Sequence, residues 1–282
     1  MTTTYPNTAI DATHTLRSRD GATISYLSTG SGPGIIVIPG ALSTAADYAA
    51  FARALGQRFT VHTIERRGRG ASSPQGDDYS IVKEREDVLA LQQKTGASML
   101  VGHSFGGLVA LEVARSNPSF TKVAVYEPGV SIDGSIPMGW MPGYKQKLAE
   151  GKLLDAFVEF SLGVGPEHAR NTPPWLMKLM LPLFVNARKR KQMFGLLQQN
   201  LREHQEVARL DSSYANYREI PAEVLLLYGG KSDSSWVNLS MERLAAVLPH
   251  SETKEFPKLD HFGIDQKAPQ EVAGAVGDYF LK

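Results

Sequence analysis

The sequence contains no cysteine. That absence removes disulfides, thiolate metal ligands and a cysteine nucleophile, and it suits a reducing compartment. Charge of either sign is not in excess: 30 Lys and Arg against 29 Asp and Glu leave +1. Net charge therefore gives no general pull toward nucleic acid or an anionic membrane. No run approaches the roughly 18 apolar residues of a membrane span. The longest apolar stretches, residues 35–38 and 224–228, have the length of buried strands. Residues 1–12 are polar and Thr-rich, without the basic and apolar regions of a secretion signal. These absences predict a cytoplasmic protein with a loose N-terminal tail and no stable membrane insertion. No H-x-H, H-x-x-x-H or Cys cluster suggests a metal, and no Walker A pattern occurs. Gly68-Arg69-Gly70 has Ser73 where a dinucleotide fingerprint needs a third Gly. Neither cofactor nor metal is expected. The basic run Arg188-Lys189-Arg190-Lys191 has no interleaved aromatics and reads as a solvated helix face, not a nucleic-acid patch.

What is present is an ordinary globular composition: 42% hydrophobic and 21% charged over 282 residues. This excludes a disordered chain, a collagen-like chain and a coiled coil. Residues 13–17 and 23–28 flank Asp20-Gly21 and read as a hairpin. Strand-like runs at 35–38, 60–65, 98–101 and 122–126 then alternate with helical periods. Tyr48, Phe51, Ala52 and Leu55 share one helix face, as do Ile81, Val88 and Leu91 in a helix capped by Ser80. From Gly134 to Asp211 the patterns are helical only. Pro173-Pro174 and Pro182 divide this stretch, in which Met193, Leu197 and Leu201 share a face. Strand–helix order resumes at 223–228 and closes with a strand at 253–256 and a helix holding Val272, Val276 and Tyr279. Repeated β-α with one helical interruption implies an α/β fold: a mostly parallel, doubly wound sheet with an inserted helical cap. The core is placed at 1–133 and 212–282 and the cap, or lid, at 134–211.

The strongest chemical signal is Gly102-His103-Ser104-Phe105-Gly106, a G-x-S-x-G pattern between an apolar strand and an apolar helix. Glycine on both sides permits a turn that lifts the Ser104 hydroxyl off the strand end. The backbone N–H of Phe105, at the helix start, then faces a developing oxyanion. A serine hydroxyl needs a base. Of seven histidines, His261 lies in a loop between the last strand and the last helix, at the carboxyl edge where a doubly wound sheet gathers its site. His103 adjoins Ser104 but is expected to point into packing. Asp233, after the strand at 224–228, is the expected carboxylate partner of His261, in the order Ser104, Asp233, His261. Glu127, directly after the strand at 122–126, is the rival acid, although Pro128 biases its backbone toward extended conformations. The N–H of Ala41, in Pro39-Gly40-Ala41-Leu42-Ser43, is the candidate second oxyanion donor.

These residues resemble the α/β-hydrolase family, from about Thr13 to Phe280. The carriers are the elbow at Gly102–Gly106, the loop ending at Asp233 and Asp260-His261-Phe262. Glu65-Arg66-Arg67-Gly68-Arg69-Gly70-Ala71-Ser72 is similar to the D-x-x-G-x-G-x-S stretch after the family's fourth strand. Two departures are Pro39-Gly40 in place of the usual His-Gly and Glu65 in place of Asp. The resemblance implies a serine hydrolase with a catalytic triad and a cap entering after the sixth strand. Its expected substrate is a small apolar ester or lactone, cleaved through an acyl-enzyme on Ser104. The same fold also supports C–C bond hydrolysis, lyase or cofactor-free oxygen chemistry, or a ligand receptor that retains the triad. Trp140, Met141, Phe157, Phe160, Trp175, Met177, Met180 and Phe184 all fall in the cap and are expected to meet the apolar group.

Overall fold

The structure is a computed structural model that describes residues 12–115, 117–165, 170–232 and 235–282. Its strands are β1 (Ala12–Arg17), β2 (Thr23–Gly30), β3 (Gly34–Ile38), β4 (Thr60–Glu65), β5 (Met99–His103), β6 (Lys122–Tyr126), β7 (Glu223–Gly229) and β8 (Ser251–Phe256). They form one eight-stranded sheet in the order β1-β2-β4-β3-β5-β6-β7-β8. The two pairings of β2 are antiparallel and the rest are parallel. The α/β reading of the sequence holds.

The strands from β3 to β7 are apolar on both sides because both sides are covered. Ile36, Ile38, Leu100, Val123, Val125, Val224 and Leu226 face one layer. Helices α2 (Ile81–Thr95) and α3 (Phe105–Ala114) contribute to that layer, as does α9 (Ser235–Val247). Ile35, Val37, Val101, Ala124, Leu225 and Leu227 face the other, with α1 (Ala49–Leu55) and α10 (Pro269–Phe280). Leu226 is fully buried, and truncating such a side chain to Ala costs about 2–5 kcal/mol. At the edge, β8 exposes Glu252, Lys254 and Glu255, charges that deter further strand pairing.

The parallel registers pair Ile38 with Gly102, His103 with Tyr126, Tyr126 with Leu227, and Gly229 with Phe256. The carboxyl ends of five strands are thereby level. The loops that leave them carry Ala41, Ser104, Glu127, Ser232 and His261 to one edge.

Between β6 and β7 the described residues form α4 (Met141–Ala149), α5 (Leu153–Val164), α6 (Pro174–Phe184), α7 (Ala187–Gly195) and α8 (Leu197–Arg209). Trp140, Tyr144, Phe157, Leu181, Leu197 and Leu201 build a third apolar cluster there, joined by Leu42 from the loop after β3. Three expectations change. Pro182 lies inside α6, two residues before its end, so it does not separate helices. Met193, Leu197 and Leu201 do not share one helix, because α7 ends before Leu196. Ser80 stands at the start of α2 without a side-chain capping bond. The Ile81 amide donates instead to Glu206 of α8 at 2.8 Å. No helix among the described residues is long and apolar enough to cross a membrane.

Candidate active site

Ser104 joins β5 to α3 with φ 54° and ψ −122°, a conformation that costs a non-glycine residue strain. The flanking glycines are required. A Cβ on Gly102 would lie 2.4 Å from the Gly106 oxygen, and one on Gly106 would lie 2.2 Å from the Ile38 oxygen. The Ser104 amide donates to Tyr126 O at 3.0 Å, and its carbonyl accepts from the Gly129 amide at 2.8 Å. The backbone is thus pinned from both sides. A Cβ on Gly40 would lie 3.2 Å from Ser104 Cβ, so the loop after β3 runs against Ser104. Neither the Ala41 nor the Phe105 amide donates to a protein acceptor among the described residues. Phe105 is the first residue of α3, where amides lack intrahelical partners and favour negative charge.

His261 Nδ1 meets Glu127 Oε2 at 2.8 Å. Glu127 is fully buried, and its Oε1 accepts from the Gly229 amide at 2.8 Å and from the Ser232 hydroxyl. Three donors therefore fix this carboxylate. Burial alone would push the His261 imidazole down. The hydrogen bond and charge of Glu127, helped by Asp265 and Asp260, outweigh it and hold His261 above its ordinary value. Glu127 does not extend before Pro128: it takes φ 44°. This turn departs from the expected extended strand end and directs the carboxylate to His261. Asp233, the acid expected from the sequence, lies outside the described residues. The described part of its loop supplies Gly229 and Ser232 as donors to Glu127.

His103 is buried, as expected, but it also links the site. Its Nε2 donates to His261 O at 2.8 Å, since a carbonyl can only accept. Burial pushes the imidazole well below its ordinary value, aided by His261, so Nδ1 is an acceptor. Tyr48 Oη lies 2.6 Å from that Nδ1 and accepts the Gly40 amide at 3.0 Å. A hydrogen-bonded chain thus runs from the loop after β3, through Tyr48 and His103, to the backbone of His261. Tyr126 Oη adds a bond to Asp260 O at 2.7 Å.

Below the same loop lies Arg66, fully buried. Its Nη1 donates to Pro39 O and Gly40 O at 3.2 and 3.3 Å, and its guanidinium stands 4.6 Å over the Phe105 ring. Arg66 Nη2 pairs with Glu203 of α8, which also takes Arg69 Nη2 at 2.7 Å. The sequence reading singled out this arginine-rich stretch without the partner or its purpose. Tyr48, Arg66, Ser232 and Glu203 were not expected at the site. Nothing local in the sequence distinguishes Tyr48 from the apolar face it shares. Among the described residues no group of three or more His, Asp or Glu is placed to hold a metal. A cleft of about 630 Å³ bounded by Phe120, His250 and Tyr279 lies at the amino ends of β6, β7 and β8, away from Ser104.

A family model, the alpha/beta hydrolase family, matches residues 35–275. The chain belongs to this family. As an alpha/beta hydrolase it is most usefully set beside three proteins. The crystal structure of an alpha/beta hydrolase from Sphaerobacter thermophilus is 29% identical, with a TM-score of 0.80, over 95% of this chain and 100% of that one. The enol-lactonase of Burkholderia xenovorans is 18% identical, with a TM-score of 0.73, over 95% of this chain and 100% of that one, a likeness of fold alone. N-formylmaleamate deformylase of Pseudomonas putida is 32% identical over 122 residues, 42% of this chain. That matched stretch spans 46% of the deformylase, less than half its length.

Proposed function

We propose that this alpha/beta hydrolase is a serine hydrolase that cleaves a carboxylic ester or lactone of a small apolar substrate through an acyl-enzyme on Ser104. The observation that carries the reading is the His261–Glu127 pair, held by a buried carboxylate, at the sheet edge that also presents the strained Ser104. With its Nδ1 proton held by Glu127, His261 has Nε2 free to accept the Ser104 proton. The Ser104 oxygen attacks the acyl carbon, and the carbonyl electron pair moves onto oxygen, stabilised by the Ala41 and Phe105 amides. Collapse expels the alcohol, which takes the proton from His261. Water then attacks the acyl carbon as His261 accepts its proton, the bond to the Ser104 oxygen breaks, and His261 returns the proton to Ser104 as the acid departs. Glu127 fixes the imidazole tautomer and stabilises the imidazolium, taking the role the sequence reading gave to Asp233. Trp236 and Phe262 stand with ring centroids 6.2 and 5.6 Å from the His261 ring, which supports an apolar group beside the scissile bond.

The likeness to the deformylase favours a second reading, transfer of a formyl group to Ser104 from an amide nitrogen. The two share every residue role and differ in the acyl group transferred and in the leaving group. A panel of p-nitrophenyl esters, lactones, N-formyl amides and aromatic diketones separates them by kcat/KM. Ester or lactone turnover, with fluorophosphonate labelling of Ser104, is the expected result. Ser104→Ala should keep the fold and lose labelling, with kcat lowered by on the order of 10⁴ or more. Labelling without turnover of any acyl substrate would move the protein to the other chemistries of the fold, and near-normal activity of Ser104→Ala would remove the nucleophile.

A further inference from the structure

Helix α6 is apolar almost all round, and water covers most of it. Trp175, Leu179, Leu183 and Phe184 are 67%, 65%, 79% and 76% exposed, while Leu181 is the buried residue of the helix. Trp175, Leu179 and Leu183 recur every four residues and form one stripe, which Met180 and Phe184 widen. The single charge within the helix, Lys178, is drawn onto Asp155 of α5. Beside Asp155, Leu153 and Leu154 are also exposed, so the patch continues onto the start of α5. A helix of this composition belongs in a core or against lipid. In this fold it stands as a ridge rather than a groove.

Charge identifies what covers it. Residues 134–211 hold 11 Lys and Arg against 7 Asp and Glu, a net +4, so the rest of the chain carries −3. The overall +1 conceals this asymmetry. Arg188 and Lys191, just past α6 at the start of α7, are exposed. We propose that α6 docks on an anionic lipid bilayer, with its apolar stripe in the headgroup–acyl boundary and Arg188 and Lys191 at the headgroup phosphates. A two-fold contact with a second copy would set the same basic residues against themselves. The docking does not depend on the chemistry of Ser104.

The test floats the full chain with phosphatidylcholine vesicles, with and without about 30% phosphatidylglycerol. Binding should require the anionic lipid and weaken as salt rises. The double variant Leu179→Ser, Leu183→Ser should lose about tenfold or more in vesicle affinity with its circular dichroism unchanged. Arg188→Glu with Lys191→Glu should abolish the preference for anionic vesicles. Absence of flotation with either vesicle overturns the proposal, as does binding unchanged in both variants. A concentration-dependent dimer that Leu179→Ser, Leu183→Ser dissolves, with no vesicle binding, would assign the face to a second copy instead.

Discussion

At the scale of the residue, the proposed acid Glu127 is buried with its Oε2 2.8 Å from His261 Nδ1. Both Glu127 and Asp233 follow strands, and both fall between Ser104 and His261 in the chain, so order cannot separate them. What the structure adds is a backbone angle: at φ 44° the buried Glu127 carboxylate meets His261, a turn that no local pattern before Pro128 announces. The places of Ser104 and His261 in the fold were legible because their signals are local, glycines whose absent Cβ atoms the turn requires and a loop at a strand's carboxyl end. Glu127→Gln should remove the carboxylate that holds the tautomer and stabilises the imidazolium. The expected loss in kcat is about 10³–10⁴-fold, with KM little changed. Asp233→Asn should cost far less. Steady-state kinetics on both variants, with folding checked by circular dichroism, decides between them: the opposite ranking returns the acid role to Asp233.

At the scale of the element, α8 ties the helices between β6 and β7 to the sheet edge that carries the candidate site. Glu203 binds Arg66 and Arg69 with all three side chains buried, and Gln75 Nε2 adds a bond at 3.3 Å. Arg66 in turn holds the carbonyls of Pro39 and Gly40, next to the Ala41 amide. Glu206, one turn along α8, accepts the first amide of α2. The central strands were readable because two covered faces force near-continuous apolar runs. The break between α7 and α8 was not, because Met193, Leu197 and Leu201 keep helical spacing across it. The partnership of Glu203 with Arg66 was not readable either, since 137 residues separate them. Glu203→Gln takes from buried Arg69 its carboxylate partner and leaves buried Arg66 with Glu84 alone, at 3.4 Å. A loss of about 3–5 kcal/mol in stability is expected by urea unfolding. The folded fraction should also lose kcat, because Arg66, which holds the loop of the proposed Ala41 oxyanion donor, is anchored less firmly. Unchanged kcat in fully folded Glu203→Gln would show that α8 supports the fold without positioning the loop.

At the scale of the whole molecule, the site is bound into the stability of the fold through Asp265. This residue lies in the π-helical turn Gly263–Lys267, directly after the His261 loop. Burial pushes its carboxyl up to about 6 from 3.8, and its Oδ1 has no hydrogen-bond partner in the described structure. Between those two values the folded chain holds a proton at Asp265 that the unfolded chain has released. Stability therefore falls as pH rises through that window, and above about 6 the full penalty is present. At about 1.4 kcal/mol per unit the penalty is about 3 kcal/mol. Asp265→Asn should stabilise the protein by up to that amount at pH about 8 and by little at pH about 4. The charge of Asp265 also helps to hold His261 up. The same variant should move the acid limb of kcat/KM, which reports His261 losing its basic form, to lower pH. Urea midpoints and pH–rate profiles on one variant thus read both effects. A stability gain equal at both pH values, with an unmoved acid limb, would show that Asp265 is neither raised by burial nor felt by His261. The expected pair of results would mean that this buried carboxylate costs the fold stability while tuning the base, a cost of the kind that strained or charged groups impose at functional sites.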